Sequence, residues 1–311
     1  MAKSTAHRFG IGEWYGRSFV GLTPAERRSY AGQALSKSTK DAPPCPFMGD
    51  GTTPCPKRGG VCSLRLYQLT DPASGRAAPV AGDEGDLRTL CPHRFKQDGV
   101  IYAEIGQKLL GTSTPLIVSE VRFLQRHSVT DEGTDSEDVG NIDNVLVAPD
   151  CKTRNPVDMP LRWCALEIQA VYFSGIEMSA LFRFIQDYPG RGMPFPDATR
   201  RPDYRSSGPK RLMPQLQIKV PTLRRWGKKM AVVVDAAWFR NNVIDVDTVD
   251  DLSNCDIAWF IVSFDESVDP ARIVVSEPEK QTLERAVEGL TGGHPVALSA
   301  FESKIREKLS L

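Results

Sequence analysis

Two carboxylates carry the most chemistry in this chain. Asp143 lies in NIDNVLVAPD and Glu167 in WCALEIQAVYF, both strand-like stretches. Side chains two apart on a strand share a face, so Glu167 and Gln169 point the same way while Ile168 faces the opposite, packed side. Adjacent strands carrying Asp143 and Glu167 on one face would bring the two carboxylates together. Such a pair suits Mg²⁺, a hard cation that takes oxygen ligands and keeps several waters. A metal there readies a water for attack on a phosphodiester and offsets charge in the transition state. Acids at strand ends with no role in chemistry give the same pattern. A polar Glu and Gln inside an otherwise apolar strand favour the site, because buried polar groups need partners.

Cys45, Cys55, Cys62 and Cys91 form a second constellation, with nine, six and twenty-eight residues between them. Four thiolates in a tetrahedral arrangement suit Zn²⁺ or Fe. None of these spacings is a tight CxxC knuckle. The settings CPF, CPK, GVC and CPH place each sulfur beside Pro or Gly, in turns of the kind that offer thiolates to a metal. Four unrelated buried cysteines are the competing reading. Cys151, Cys164 and Cys255 read as single packed residues, and of the histidines His7, His93, His127 and His294 only His93 stands near a site.

Charge supplies a third signal. The 311 residues hold 39 Lys+Arg and 39 Asp+Glu, a formal net charge of zero. That total is a sum of opposites. Between 191 and 230 eleven bases face only Asp197 and Asp203, whereas 131–150 holds Asp131, Glu132, Asp135, Glu137, Asp138, Asp143 and Asp150 and no base. A polyanion partner that also needs a divalent metal calls for such a layout. Arg200, Arg201, Arg205, Lys210 and Arg211 fall in a long basic loop over 187–215. Arg224, Arg225, Lys228 and Lys229 fall on one side of an expected helix, a cationic ridge for phosphates. A solvated helix face normally mixes the two signs, which these residues do not.

The elements that must position these groups are of two textures. Residues 1–95 are rich in Pro and Gly, with one capped helix expected over 24–37, and are read as irregular and short of core. Such a region needs another source of order, and a metal is the obvious one. From 96 onward the pattern is α/β. Helices are expected over 97–110, 219–230, 278–290 and 300–309, and strands over 115–124, 142–148, 163–173, 230–235 and 257–264. This divides the chain into an N-terminal region, 1–95, and a core with insertions, 96–311. A composition of 41% hydrophobic and 25% charged residues fits a globular protein, and excludes a fibre, a disulfide miniprotein and a disordered chain. No export signal and no membrane span of about 18 apolar residues is evident, so the cysteines are expected to stay reduced in the cytoplasm.

Taken together, CPF (45–47), Cys55, GVC (60–62), CPHR (91–94), the strand with Asp143 and LEIQ (166–169) resemble the NotI-type restriction endonucleases; VDAAWF (234–239) and IAWFIVSF (257–264) extend the likeness. The resemblance implies a PD-(D/E)xK nuclease core, a mixed sheet flanked by helices. In it Asp143 and Glu167 would ligate Mg²⁺ and Gln169 would take the usual lysine position. Gln carries no charge, so other groups must stabilise the attacking hydroxide. The four cysteines would hold one structural iron, with zinc equally suited to the ligands. Glu120 is a further acidic residue without an assigned motif position. The expected activity is Mg²⁺-dependent cleavage of double-stranded DNA at a short palindromic site by a homodimer. A repair nuclease on the same core and a non-catalytic DNA-binding protein are the alternatives.

Overall fold

The computed structural model describes residues 6–36, 40, 42–130, 133–152, 161–243, 248–292 and 296–309, with 126–130, 133–139 and 151–152 described for the backbone alone. His294, Asp131 and Glu132 and the side chains of Cys151, His127, Asp135, Glu137 and Asp138 therefore lie outside what is described.

The N-terminal region is not irregular. It contains β1 (His7–Trp14), β2 (Arg17–Ser18), α1 (Pro24–Leu35), β3 (Val61–Asp71), β4 (Arg76–Pro79) and β5 (Arg88–Thr89). The strands form one antiparallel sheet, ordered β2-β1-β3-β4 with β5 also on β3. Ile11, Trp14, Phe19, Leu64 and Tyr67 give it a core of its own. In HRFGIGEW the glycines allow close packing. A Cβ on Gly10 would stand 2.7 Å from Pro196 and one on Gly12 would stand 2.6 Å from Leu87. Helix α1 starts as its sequence dictates. Thr23 caps it, Glu26 closes the capping box and Pro24 takes the first turn, where a missing N–H costs nothing.

Beyond it run α2 (Val100–Leu110), β6 (Leu116–Thr130), β7 (Gly133–Val147), β8 (Trp163–Ile168), β9 (Phe173–Gly175), α3 (Met178–Asp187), β10 (Arg200–Pro202) and α4 (Tyr204–Ser207). They are followed by α5 (Met213–Arg225), β11 (Met230–Asp235), α6 (Ala236–Asn242), β12 (Ile257–Asp265), β13 (Arg272–Val275), β14 (Glu279–Gln281), α7 (Leu283–Thr291) and α8 (Leu298–Leu309). The large sheet has the order β13-β12-β11-β8-β7-β6, with β14 on β12. Strands β8, β11 and β12 run parallel at its centre, flanked by antiparallel neighbours. Every residue of MAVVVD in β11 is buried, as expected for a central strand covered on both faces. One face packs Ala231, Val233, Leu146 and Leu166 against Ile101 and Ile105 of α2. The other packs Val232, Val145 and Ala165 against Leu216, Val220 and Leu223 of α5.

Several of these expectations shift. The strand expected over 163–173 leaves the sheet after Ile168, and β9 pairs with β10 instead. The expected loop over 187–215 holds β10, α4 and a π-helical turn, Gly208–Leu212, that runs into α5. Pro214 is tolerated because it sits in the first turn of α5. Helix α5 ends at Arg225, and Gly227, at φ 65°, turns the chain away, so Lys228 and Lys229 do not continue the expected ridge. The segment around α3 crosses over to the N-terminal core, contributing Leu181, Phe182 and Ile185.

Candidate active site

Register brings the two carboxylates together. Strands β7 and β8 pair Asn144 with Leu166 and Val145 with Ala165, so Asp143 stands one step further on, level with Glu167. Glu167 is in turn paired with Val232 of β11. It points to the α5 side, the face shared by Ala165 and Val171, while Ile168 packs with Leu166 on the opposite core. Glu120 lies between the pairs Ser119–Asn144 and Val121–Ile142, at the level of Asp143 on β6. Its φ of 55° is a left-handed conformation uncommon outside glycine.

Burial separates the two acids. The side chain of Glu167 is 5% exposed and that of Asp143 is 53% exposed. Burial raises the Glu167 carboxyl above its ordinary range. Lys219 opposes this, and the adjacent Asp143 carboxylate, close enough to hydrogen-bond it, adds to the rise. The Lys219 Nζ sits 2.7 Å from Glu167 Oε2 and 3.5 Å from Asp143 Oδ1.

Lys219 is the residue that the sequence reading missed as part of this site. It had counted only as one base in a basic run. Yet Leu216, Lys219, Val220 and Leu223 are all buried on one face of α5, at helical spacing. A lysine inside an apolar stripe was the signal available. The arrangement also tests whether the site suits a cation. Two hard oxygen donors on adjacent strands already share an ammonium, so a divalent ion with oxygen ligands fits Asp143 and Glu167.

Gln169 lies one residue past the end of β8, an interior strand of the sheet. Its backbone N–H donates to the Val233 carbonyl, and its Nε2 donates to the Ala170 carbonyl at 2.5 Å. It lines a cleft of about 860 Å³ between the large sheet and the N-terminal module, with Cys91, His93, Tyr172 and Arg211 among its walls.

The four cysteines are all buried, with Cys91 at the wall of that cleft. A bridge between Pro44 and Pro54 brings the first two turns together, and the N–H groups of Leu90 and Cys91 donate to the Cys62 carbonyl. Burial pushes the Cys45, Cys55 and Cys62 thiols up, and Cys91 adds to the rise in each. The thiols are thus neighbours, Cys45 and Cys55 closely enough to hydrogen-bond. Among the described residues, however, no group of three or more His, Cys, Asp or Glu has the spacing of a metal centre. Cys164 and Cys255 are buried singly elsewhere.

The basic residues divide. Arg200 is only 2% exposed and is held by Asp197 and the Glu177 carbonyl, which corrects its reading as a DNA contact. Arg224 bonds Asp256 and Glu284, and so ties α5 to α7. Lys228 and Lys229 donate to the carbonyls of Leu161 and Ser253. Arg225 bonds Thr222 on its own helix. Arg211 stacks 3.5 Å over the Tyr172 ring at the cleft, and Arg201, Arg205 and Lys210 are exposed nearby.

Residues 30–275 of the chain match the model of the family described as restriction endonuclease NotI. The chain belongs to the NotI restriction endonuclease family. It is a type II restriction endonuclease, a site-specific deoxyribonuclease that binds double-stranded DNA. No curated protein matches it. Its mixed sheet flanked by helices is compatible with the nuclease core of such an enzyme. Among the described residues no helix is long and apolar enough to cross a membrane.

Proposed function

We propose that this NotI-family enzyme hydrolyses both strands of DNA at a short palindromic site, on a PD-(D/E)xK core, with Mg²⁺ held by Asp143 and Glu167. The reading is carried by one observation: two carboxylates set level on adjacent strands with a cation shared between them. A divalent ion bound there lowers the pKa of a water and offsets charge on the phosphate. The chain does the rest. Glu167 is fixed by burial under α5, whereas the half-exposed Asp143 reaches toward solvent, where DNA would arrive. Gln169, at the cleft wall, would release its bond to the Ala170 carbonyl and orient the attacking water with its amide. Arg201, Arg205 and Lys210 are the bases best free to meet the phosphate backbone, because their exposed positions allow counterion release.

Two further parts belong to this reading. A two-fold homodimer matches a palindrome, one active site per strand. The four buried cysteines would hold one structural iron or zinc, closing around it from their present neighbourly placement. Metal would draw down the thiols that burial now pushes up. Free thiols at all six described cysteines accord with work inside the cell. Incubating the purified protein with Mg²⁺ and long duplex DNA tests the whole. Discrete fragments are expected; nicks that depend on damage, or a mobility shift without cutting, would replace this reading with repair or with binding alone.

A further inference from the structure

Lys219 has a place in the site that no motif position gives it. We propose that Lys219, reaching in from α5, is the positioning cation of this nuclease site, holding Asp143 and Glu167 as a pair where position 169 supplies no charge. The proposal rests on reading those two acids as the metal-holding carboxylates.

Its first support is location. The Lys219 side chain is 4% exposed and lies among Leu216, Val220 and Leu223, where an ammonium is costly unless paired. Its second is exclusivity. Among the described residues Lys219 is the only cation within 4.0 Å of either carboxylate. The neighbouring bases are committed elsewhere, Arg211 over Tyr172 and Arg224 on Asp256 and Glu284. Its third is complementarity with Gln169, whose amide is turned to the Ala170 carbonyl.

Placement between the carboxylates has two consequences of opposite sign. The ammonium and a divalent ion draw on the same oxygens, so Lys219 weakens metal binding in the free protein by like-charge repulsion. It also keeps the two acids at a fixed spacing, which they would lose by mutual repulsion without it. Misplacement by about 1 Å costs on the order of 100-fold in rate. A lysine that did not hold the acids in place would leave kcat unchanged when replaced.

The test uses the full chain and compares the parent with Lys219→Met. Without DNA, Ca²⁺ binding is followed by calorimetry; with Mg²⁺ and duplex DNA, kcat and KM are measured separately. The expected result for Lys219→Met is Ca²⁺ affinity raised about tenfold, with kcat lowered about 100-fold and KM within about threefold. Unchanged or weaker Ca²⁺ binding, or cleavage within about threefold of the parent, would overturn the proposal. Lys219→Arg keeps the charge and serves if the Met variant does not fold. It should bind Ca²⁺ as weakly as the parent, and tighter binding would count against the role. Cleavage by Asp143→Ala at the parent rate would sink the carboxylate reading instead, a separate failure.

Discussion

Replacing Arg94 should loosen the joint between the N-terminal module and the nuclease sheet. Its guanidinium is fully buried, and Nε lies 2.9 Å from the equally buried Glu13 of β1. It also donates to Gln97 Oε1 at 2.9 Å and to the Ala271 carbonyl at 2.5 Å. Two rings sandwich it, Phe47 at 4.7 Å from the cysteine region and Phe264 at 4.4 Å from β12. Arg94→Met keeps much of the volume but leaves Glu13 charged in the interior with Ser63 as its remaining hydroxyl donor at 2.9 Å. Breaking a buried pair in this way costs about 3–5 kcal/mol, a large part of the roughly 5–15 kcal/mol typical of a whole domain. Urea unfolding reads the loss as a lower midpoint. Adding Glu13→Gln removes the uncompensated charge, so the double variant should recover more than half of the loss. A cost below about 1 kcal/mol for Arg94→Met, or a double variant as unstable as the sum of the singles, would refute this account of the joint.

Two other outcomes follow from buried groups. Burial pushes the Asp235 carboxyl up to about 6, despite the Thr89 and Trp238 N–H groups it accepts at 2.7 Å. The folded chain then binds a proton that the unfolded chain has released, so this group's contribution falls as pH rises from about 4 to about 6, by roughly 3 kcal/mol. Urea unfolding of Asp235→Asn across that range should lack the drop, and an identical pH profile would contradict it. Elemental analysis of protein purified without added metal should find about one iron or zinc per chain, reduced in Cys62→Ser. A well-folded protein free of both metals would remove the metal from the cysteine quartet.

Much of this architecture was readable from residue order. The apolar runs MAVVVD and IAWFIVSF announced central strands, and Thr23-Pro24 with Glu26 announced α1. Period-two logic set Glu167 apart from Ile168 on β8, and the structure carries them on opposite faces. What stayed hidden depended on contacts distant in sequence. The close packing at Gly10 and Gly12 is hidden in the sequence, because nothing local reveals the Pro196 and Leu87 side chains set against them. Lys219 lies 52 residues from Glu167, so their 2.7 Å bond is a product of folding α5 onto the sheet. Net charge misled in a similar way. Arg200 and Arg224 looked free, but their acidic partners, Asp197, Asp256 and Glu284, claim them within the fold.

The central claim, that Asp143 and Glu167 form the centre that cuts DNA, is tested most directly by cleavage assays on Asp143→Ala. Its side chain is 53% exposed, so truncation should leave the melting temperature nearly unchanged. With Mg²⁺ and long duplex DNA, the parent should give discrete fragments and the variant should cut at least about 1,000-fold more slowly, the scale of losing a principal charge-stabilising group. Discrete fragments from Asp143→Ala at the parent's rate would contradict the claim.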